Sequence, residues 1–364
     1  MQPEENSSNT LQGSALALVL YDVCEEIHLD ELRALLAAER QRPALKHAAA
    51  EQVRIERPPV VEHLGLIDSD GGEKFDTQIK YYDYGVIAIL FERSFAGEWE
   101  RLVGLSANWI SGSQFEQLAR TMARRRLADV RPALVKPYAE WLGEDYFIFV
   151  VTSAEGSPPA SELLARRGRE IVRIVRGELA PLSASEVSEV LQSSISYYPN
   201  DVAVIGWNAA FIYDTPTGSA TAIHMLEYAN SQLLEFRHYD ELLTRELSVA
   251  RGLVERDSGL LARWRLARAA SRLQAVTLDV SGLAERVDNA IKFLSDMFSA
   301  RLYRLAANKV GVPDYKSLVD QKLATARDLY SFMIEQFHQG RAFVLELIVV
   351  IILVIELVFL FRGK

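Results

Sequence analysis

Residues 342–361 read AFVLELIVVIILVIELVFLF, with only Arg362, Gly363 and Lys364 after them. Twenty residues at ~1.5 Å rise span ~30 Å, the hydrocarbon thickness of a bilayer. Seventeen of them are strongly apolar, and at roughly 0.3–0.6 kcal/mol each they favour insertion by ~7 kcal/mol. Glu346 and Glu356 oppose it at ~3 kcal/mol each, less near the ends of a span, where long side chains snorkel. The balance predicts a C-terminal transmembrane anchor over 342–361. The alternative, a buried core helix, rarely carries Val, Ile, Leu and Phe on every face.

The two acids lie ten positions apart, so ~80° separates them around the helix and ~15 Å along it. Acids sharing one side of a span usually face a partner helix or a polar cavity. Glu346 and Glu356, with Arg341 at the start of the run, are therefore expected at contacts between copies, a homo-oligomer embedded in the lipid bilayer. Snorkelling of both acids to opposite headgroup layers is the plainer alternative.

With 364 residues, 49% of them hydrophobic, the chain holds about two domains besides the anchor. A net charge of −9 argues against a protein whose main work is binding bare nucleic acid. One cysteine, Cys24, excludes an internal disulfide, fits a reducing compartment, and reads as a buried inert thiol. The polar opening MQPEENSSNTLQGS resembles neither a signal nor a transit peptide. The expected location is therefore integral to a membrane through one C-terminal helix, with the bulk of the chain cytoplasmic, at a bacterial inner membrane.

Residues 1–13 are expected as a disordered lead and 14–218 as an α+β domain. ALALVLY (15–21), EQVRIE (51–56), YFIFVVTS (146–153) and VAVIGWNAAFIYD (202–214) read as strands. REIVRIVRGEL (169–179) reads as another alternating segment. IKYYD and VIAILFE form a hairpin around Asp83-Tyr84-Gly85. EWERLVGLS and SQFEQLARTMARRRLADV read as helices, and LSASEVSEVLQ opens with a capping box. Tyr81-Tyr82, Val86 and Ile89 match the spacing of Tyr197-Tyr198, Val202 and Ile205, which leaves open two related modules within the domain. From 219 to 341 the apolar spacing turns helical, predicting long coiled-coil helices over about 220–256, 260–309 and from Asp314 into the apolar run. The expected fold class is thus an α+β domain, a long helical hairpin and a transmembrane helix.

Catalytic patterns are missing. There is no GxxxxGK[ST], GxGxxG or GxSxG, and the six histidines show no paired-ligand spacing. Asp68-Ser69-Asp70-Gly71-Gly72 places its glycine too early for a Ca²⁺ loop. No catalytic residue, cofactor or metal is implied. Arg124-Arg125-Arg126 ends a helix, where cations complement the dipole. Arg265, Arg268 and Arg272 make a stripe at i, i+3 and i+7, either a solvated face or a contact for an acidic surface, anionic lipid or RNA.

LLEFRHYDELLTREL (233–247), IKFLSDMFSARLYRLAANKVGVPDY (291–315) and RAFVLELIVVIILVIELVF (341–359) together resemble the required-for-meiotic-nuclear-division-like, or YagE-like, family. The marks are Arg341 before Leu345-Glu346, the second pair Ile355-Glu356, Arg237 with Tyr239-Asp240, and Arg301-Leu302-Tyr303. The resemblance implies a membrane-anchored, non-enzymatic, self-assembling scaffold or adaptor. It also implies a link to translation at the membrane, with a ribosome or another membrane-associated complex as partner. Two rivals stand beside it: a tethered enzyme with an unrecognised site in the α+β domain, and a lipid- or ion-handling oligomer. A deep polar pocket in the α+β domain would favour the enzyme.

Overall fold

In the computed structural model, residues 10–39, 58–69, 71–256, 265, 268–282 and 297–362 are described, except for the side chains of 39, 255–256, 336–348 and 359–362. They divide between two compact units, Met1–Phe236 with Arg286–Asp314, and Arg237–Glu285 with Tyr315–Lys364. The expected strand at 51–56 and most of the expected lead lie outside the described residues.

The first unit is built on eight strands: β1 (Leu11–Ile27), β2 (Val60–Asp68), β3 (Lys74–Tyr81), β4 (Val86–Gly97), β5 (Leu134–Ser153), β6 (Ser194–Ile195), β7 (Val202–Ile205) and β8 (Ala209–Tyr213). They pair in the order β2-β3-β4-β1-β5-β8-β7-β6. Every pairing is antiparallel except β5 with β8, so the sheet is mixed. The expected hairpin is β3–β4, where Gly85 at φ 96° turns the chain back. At this turn the 85 position has no room for a side chain, since a Cβ would sit 1.8 Å from the Cys24 carbonyl oxygen.

One face of the sheet carries Ala15, Ala17, Val19 and Tyr21 of β1 and Ile87, Ile89 and Phe91 of β4. Helices α1 (Leu29–Glu39), α2 (Trp99–Ser111), α3 (Gln114–Asp129), α4 (Ala160–Arg176) and α5 (Ala184–Leu191) pack onto it. Aromatic rings fill its centre: Phe115 meets Trp109 at 4.8 Å and Phe75 at 5.3 Å between centroids, mostly edge to face. Helix α4 takes in residues 169–176 of the segment read as alternating and ends at Gly177. Its apolar residues fall at Ile171, Val172, Ile174 and Val175, on both parities, which a helix buries on one side and a strand does not. Half of the expected capping box is present at α5: Ser183 Oγ accepts the Glu186 amide at 3.2 Å, while the Glu186 carboxylate pairs with Arg176 at 2.5 Å.

The other face is apolar too, with Leu16, Leu18 and Leu20 of β1, Leu90 of β4 and Ile148 and Val150 of β5 all buried. A strand buried on both sides needs a second layer. Helix α6 (Pro216–Arg256) supplies it. Tyr228 meets Tyr82 edge to face at 5.5 Å, and the Tyr84 hydroxyl lies 2.7 Å from Ser231 Oγ. Helix α7 (Met297–Val310) joins this layer, its Tyr303 hydroxyl donating to Gln232. The sheet is therefore enclosed between two helical layers, and the start of the long-helix region is part of that enclosure.

The second unit is helical. The rest of α6, the stretch 268–282 and helix α8 (Val312–Arg362) bury Leu247, Ala250, Leu273, Ala326 and Met333 together. Lys322 on α8 donates to the carboxylate of Asp240 and to Thr244 on α6.

The anchor requires correction. Among the described residues no helix is long and apolar enough to cross a membrane. The apolar part of α8 with described side chains is Val349–Val358. The expected transmembrane helix and tail anchor, and with them the integral location at a bacterial inner membrane, are not upheld. The fold class is corrected accordingly: an eight-stranded mixed sheet with helices on both faces, joined to a helical unit.

Candidate functional site

A cleft of about 780 Å³ opens between the second face of the sheet and the first turns of α6. Leu16, Leu90 and Val150 line it with apolar surface, and Gln78, Glu92, Ser14 and Thr152 add polar groups from the strands. Ser219, Ile223 and His224 close it from the helix. Gly13, also on its wall, has no room for a side chain, because a Cβ there would lie 1.8 Å from the Val150 carbonyl oxygen.

Beside the cleft lies a buried ionic network. Lys80, on β3, directs Nζ to both carboxylate oxygens of Glu227, at 2.6 and 2.7 Å. His224, one turn before Glu227 on α6, brings Nδ1 to 3.1 Å from Glu227 Oε2. Glu227 is fully buried while the His224 side chain is 36% exposed. Burial is the largest single influence on Glu227 and opposes its charge. The Lys80 charge and the hydrogen bond and charge of His224 together outweigh burial and bring the carboxyl to about 2. An ionised carboxylate only accepts, so His224 Nδ1 donates the hydrogen between them.

The buried seam continues along α6. Burial raises the Tyr82 and Tyr84 hydroxyls well above the ordinary phenol value, with Glu227 adding to Tyr82 and Tyr228 to Tyr84. Among the described residues the hydroxyls of Tyr82 and Tyr228 and Oδ1 of Asn230 have no hydrogen-bond partner. Cys24 lies in β1, buried, its Sγ 3.2 Å from the Glu26 carbonyl oxygen. Burial, then the charge of Asp22, pushes its thiol up to about 12, which suits an inert side chain.

The residues singled out by sequence fall elsewhere. Arg341 and Glu346 have no described side chain, and Glu356 is exposed. Arg265, Arg268 and Arg272 are exposed on one stretch, where Arg272 pairs with Glu246 at 2.6 Å. Arg126, of the triple arginine, pairs with Glu62 at 2.6 Å and so ties α3 to β2. Asp240 is paired with Lys322, Tyr239 is buried beside it, and Arg237 is half-buried. Tyr303 is buried against Gln232, while Arg301 is exposed. The matched pairs of the internal repeat differ: Tyr81 and Tyr82 are buried, whereas Tyr197 and Tyr198 are 60% and 66% exposed.

Lys80, Glu227 and His224 form no paired-histidine pattern, because the one histidine stands a helical turn from a glutamate. The signal was there: a lysine in a strand whose neighbours are apolar, and His224-x-x-Glu227 on a helix.

Comparison with known proteins places the sheet unit. Residues 12–220 match the family described as Uncharacterized protein MJ0711, N-terminal domain. The chain belongs to this family. Uncharacterized protein MJ0711 of Methanocaldococcus jannaschii is 19% identical over 236 residues, 65% of this chain and 71% of that one. No solved structure matches. The resemblance to the required-for-meiotic-nuclear-division-like family is overturned, since the family matched is a different one and the match falls on the sheet unit. Its marks were short pairs such as Leu-Glu and Ile-Glu within apolar helix, which helical periodicity alone can produce. The link to translation and the ribosome as partner rested on that resemblance.

Proposed function

We propose that this protein is a self-associating scaffold whose copies join through the end of α8. The observation that carries the reading is Val349–Val358, in which the nine apolar residues are each 48–58% exposed. Together they expose on the order of 800 Å², above the ~300–600 Å² of the largest patch on a typical monomer. Ten residues at ~100° each turn through every face of the helix. A single flat partner covers one side only. Copies of the same helix gathered about a symmetry axis cover several sides at once, and each supplies the same apolar surface. The sheet unit supplies a rigid body for such an assembly to display.

Sedimentation velocity of the full chain tests this. The expected result is a species of three or more copies at low micromolar concentration, reduced toward one copy by Ile351→Asp with Val354→Asp. A monomer for the unaltered chain, or an assembly that the double substitution leaves intact, would overturn the reading.

A further inference from the structure

Three large aromatic side chains stand in water on the outside of the sheet unit: Tyr197, Tyr198 and Trp207 are 60%, 66% and 60% exposed. Backbone hydrogen bonds fix the two tyrosines. The buried carboxylate of Asp201 accepts both of their amides, each at 2.7 Å, and their rings meet edge to face at 4.7 Å. Helix α7 runs beside them. Its Phe298 packs on Tyr197 at 5.1 Å between ring centroids, and Gly311, just past its end, lies against Trp207, with 3.9 Å between a Cβ placed there and Cη2. The 14 residues of α7 rise ~20 Å, so the tyrosines and the tryptophan mark two ends of one surface. Between these ends α7 presents Arg301, Arg304 and Asn308, all exposed, at i, i+3 and i+7 on one side of the helix. Among the described residues neither arginine pairs with an acid. Arg304 Nε only returns to the Ala300 carbonyl oxygen of its own helix, at 3.2 Å. Uncompensated guanidinium groups flanked by open rings suit an occupant that carries both anions and flat apolar faces.

We propose that this surface binds single-stranded nucleic acid, its bases stacked on Tyr197, Tyr198 and Trp207 and its phosphates on Arg301 and Arg304. Stacking tolerates any sequence, because every base has a π-face, and the guanidinium fork matches phosphate. A duplex hides the faces of its bases and finds no platform here. An acidic peptide would satisfy the arginines and leave the rings in water. With a net charge of −9 the chain as a whole repels polyanions, so the contact is local and sensitive to salt. Asp314, whose carboxylate lies 4.0 Å from the same Cβ position on Gly311, opposes a phosphate at the tryptophan end.

Fluorescence anisotropy of a labelled RNA of about twelve nucleotides, titrated with the full chain at low salt, tests this. Saturable binding is expected at roughly micromolar concentration, about tenfold or more tighter than that of the same sequence as a duplex. The DNA strand of that sequence should bind within about threefold of the RNA, since neither stacking nor phosphate contact reads the 2′-hydroxyl. Tyr198→Ala and Trp207→Ala should each weaken the single strand about fivefold or more, and both rings are exposed, so the fold does not depend on them. Arg301→Gln with Arg304→Gln should flatten the slope of log affinity against log salt by about 1.4, the share of two phosphates on a single strand. Asp314→Asn should tighten binding, a gain that no loss of folding imitates. No saturation up to about 100 µM, a duplex bound as tightly as the single strand, full affinity in both aromatic variants, or a salt slope that the arginine pair leaves unchanged would each overturn the proposal. Polyglutamate or phosphatidylglycerol vesicles that displace the strand as well as unlabelled RNA does would assign the surface to an acidic protein or a lipid face, and would overturn it as well.

Discussion

Lys80 and Glu227 stand 147 positions apart in the chain, yet Nζ of the one touches both carboxylate oxygens of the other at 2.6 and 2.7 Å. The side chains are 5% and 0% exposed. The pair joins β3 to α6 and so fastens the second helical layer to the sheet. Taking two charges out of water is costly, and mutual attraction repays it only while both are present.

Removing one partner should therefore cost more than removing both. Lys80→Met is expected to lower stability by about 3–5 kcal/mol, because Glu227 is left charged and buried. Lys80→Met with Glu227→Leu should recover most of that loss. Urea midpoints of the two variants check the order, and a double variant as unstable as the single would contradict it.

The same carboxylate makes stability depend on acid. Its folded value of about 2 lies below the ordinary 4.5, so it is the unfolded chain that takes up the proton first as pH falls. The contribution, roughly 3 kcal/mol, is complete above 4.5 and disappears as pH falls towards about 2. Unfolding free energies of wild type and Glu227→Gln, measured from about pH 6 to pH 3, should converge towards the acid end. Parallel curves would remove Glu227 as a source of acid sensitivity.

Cys24 should be silent in the folded protein. Its thiol is buried and raised to about 12, chiefly by burial and next by Asp22, so almost no thiolate forms near neutral pH. Iodoacetamide should label it only after denaturation, as read by intact mass. Labelling at equal rates with and without urea would show that β1 opens.

Gly85 and Gly65 separate two costs of a side chain. Both have positive φ, 96° and 77°, but a Cβ at 85 would meet the Cys24 carbonyl oxygen at 1.8 Å, whereas at 65 nothing lies within 4 Å. Gly65→Ala should cost about 1–2 kcal/mol, the price of left-handed backbone alone. Gly85→Ala adds a clash with main chain that no rotamer relieves, and should cost several kcal/mol or prevent folding. Thermal melts of the two variants decide it, and equal losses would mean that the turn can yield.

Much of the sheet unit was legible in the sequence, because the signals are local. ALALVLY is apolar at both parities and forms a strand buried on both sides. The hairpin at Asp83-Tyr84-Gly85 follows from a glycine where φ must be positive, and the start of α5 from Ser183 and Glu186 at capping distance. Segment 169–179 was misread because arginines interrupt its apolar residues, and that resembles alternation until the pairs Ile171-Val172 and Ile174-Val175 are counted.

What only the tertiary structure decided lies in contacts between distant segments. Local periodicity says which side of a helix is apolar, but it does not say which surface that side meets. Helix α6 thus looked like the start of a separate helical region, while its first half lies on the sheet through Tyr228 and Ser231. The partner of a buried charge is equally invisible to spacing, since Lys80 and Glu227 are brought together by the fold and by nothing in their neighbours. The cleft beside them exists because a helix departs from a sheet at that point. Sequence by itself determined the centre of β1, the β3–β4 hairpin, the start of α5 and the apolar end of α8, whose causes lie within a few residues. The pairing of charges and the walls of the cleft needed the whole chain in place.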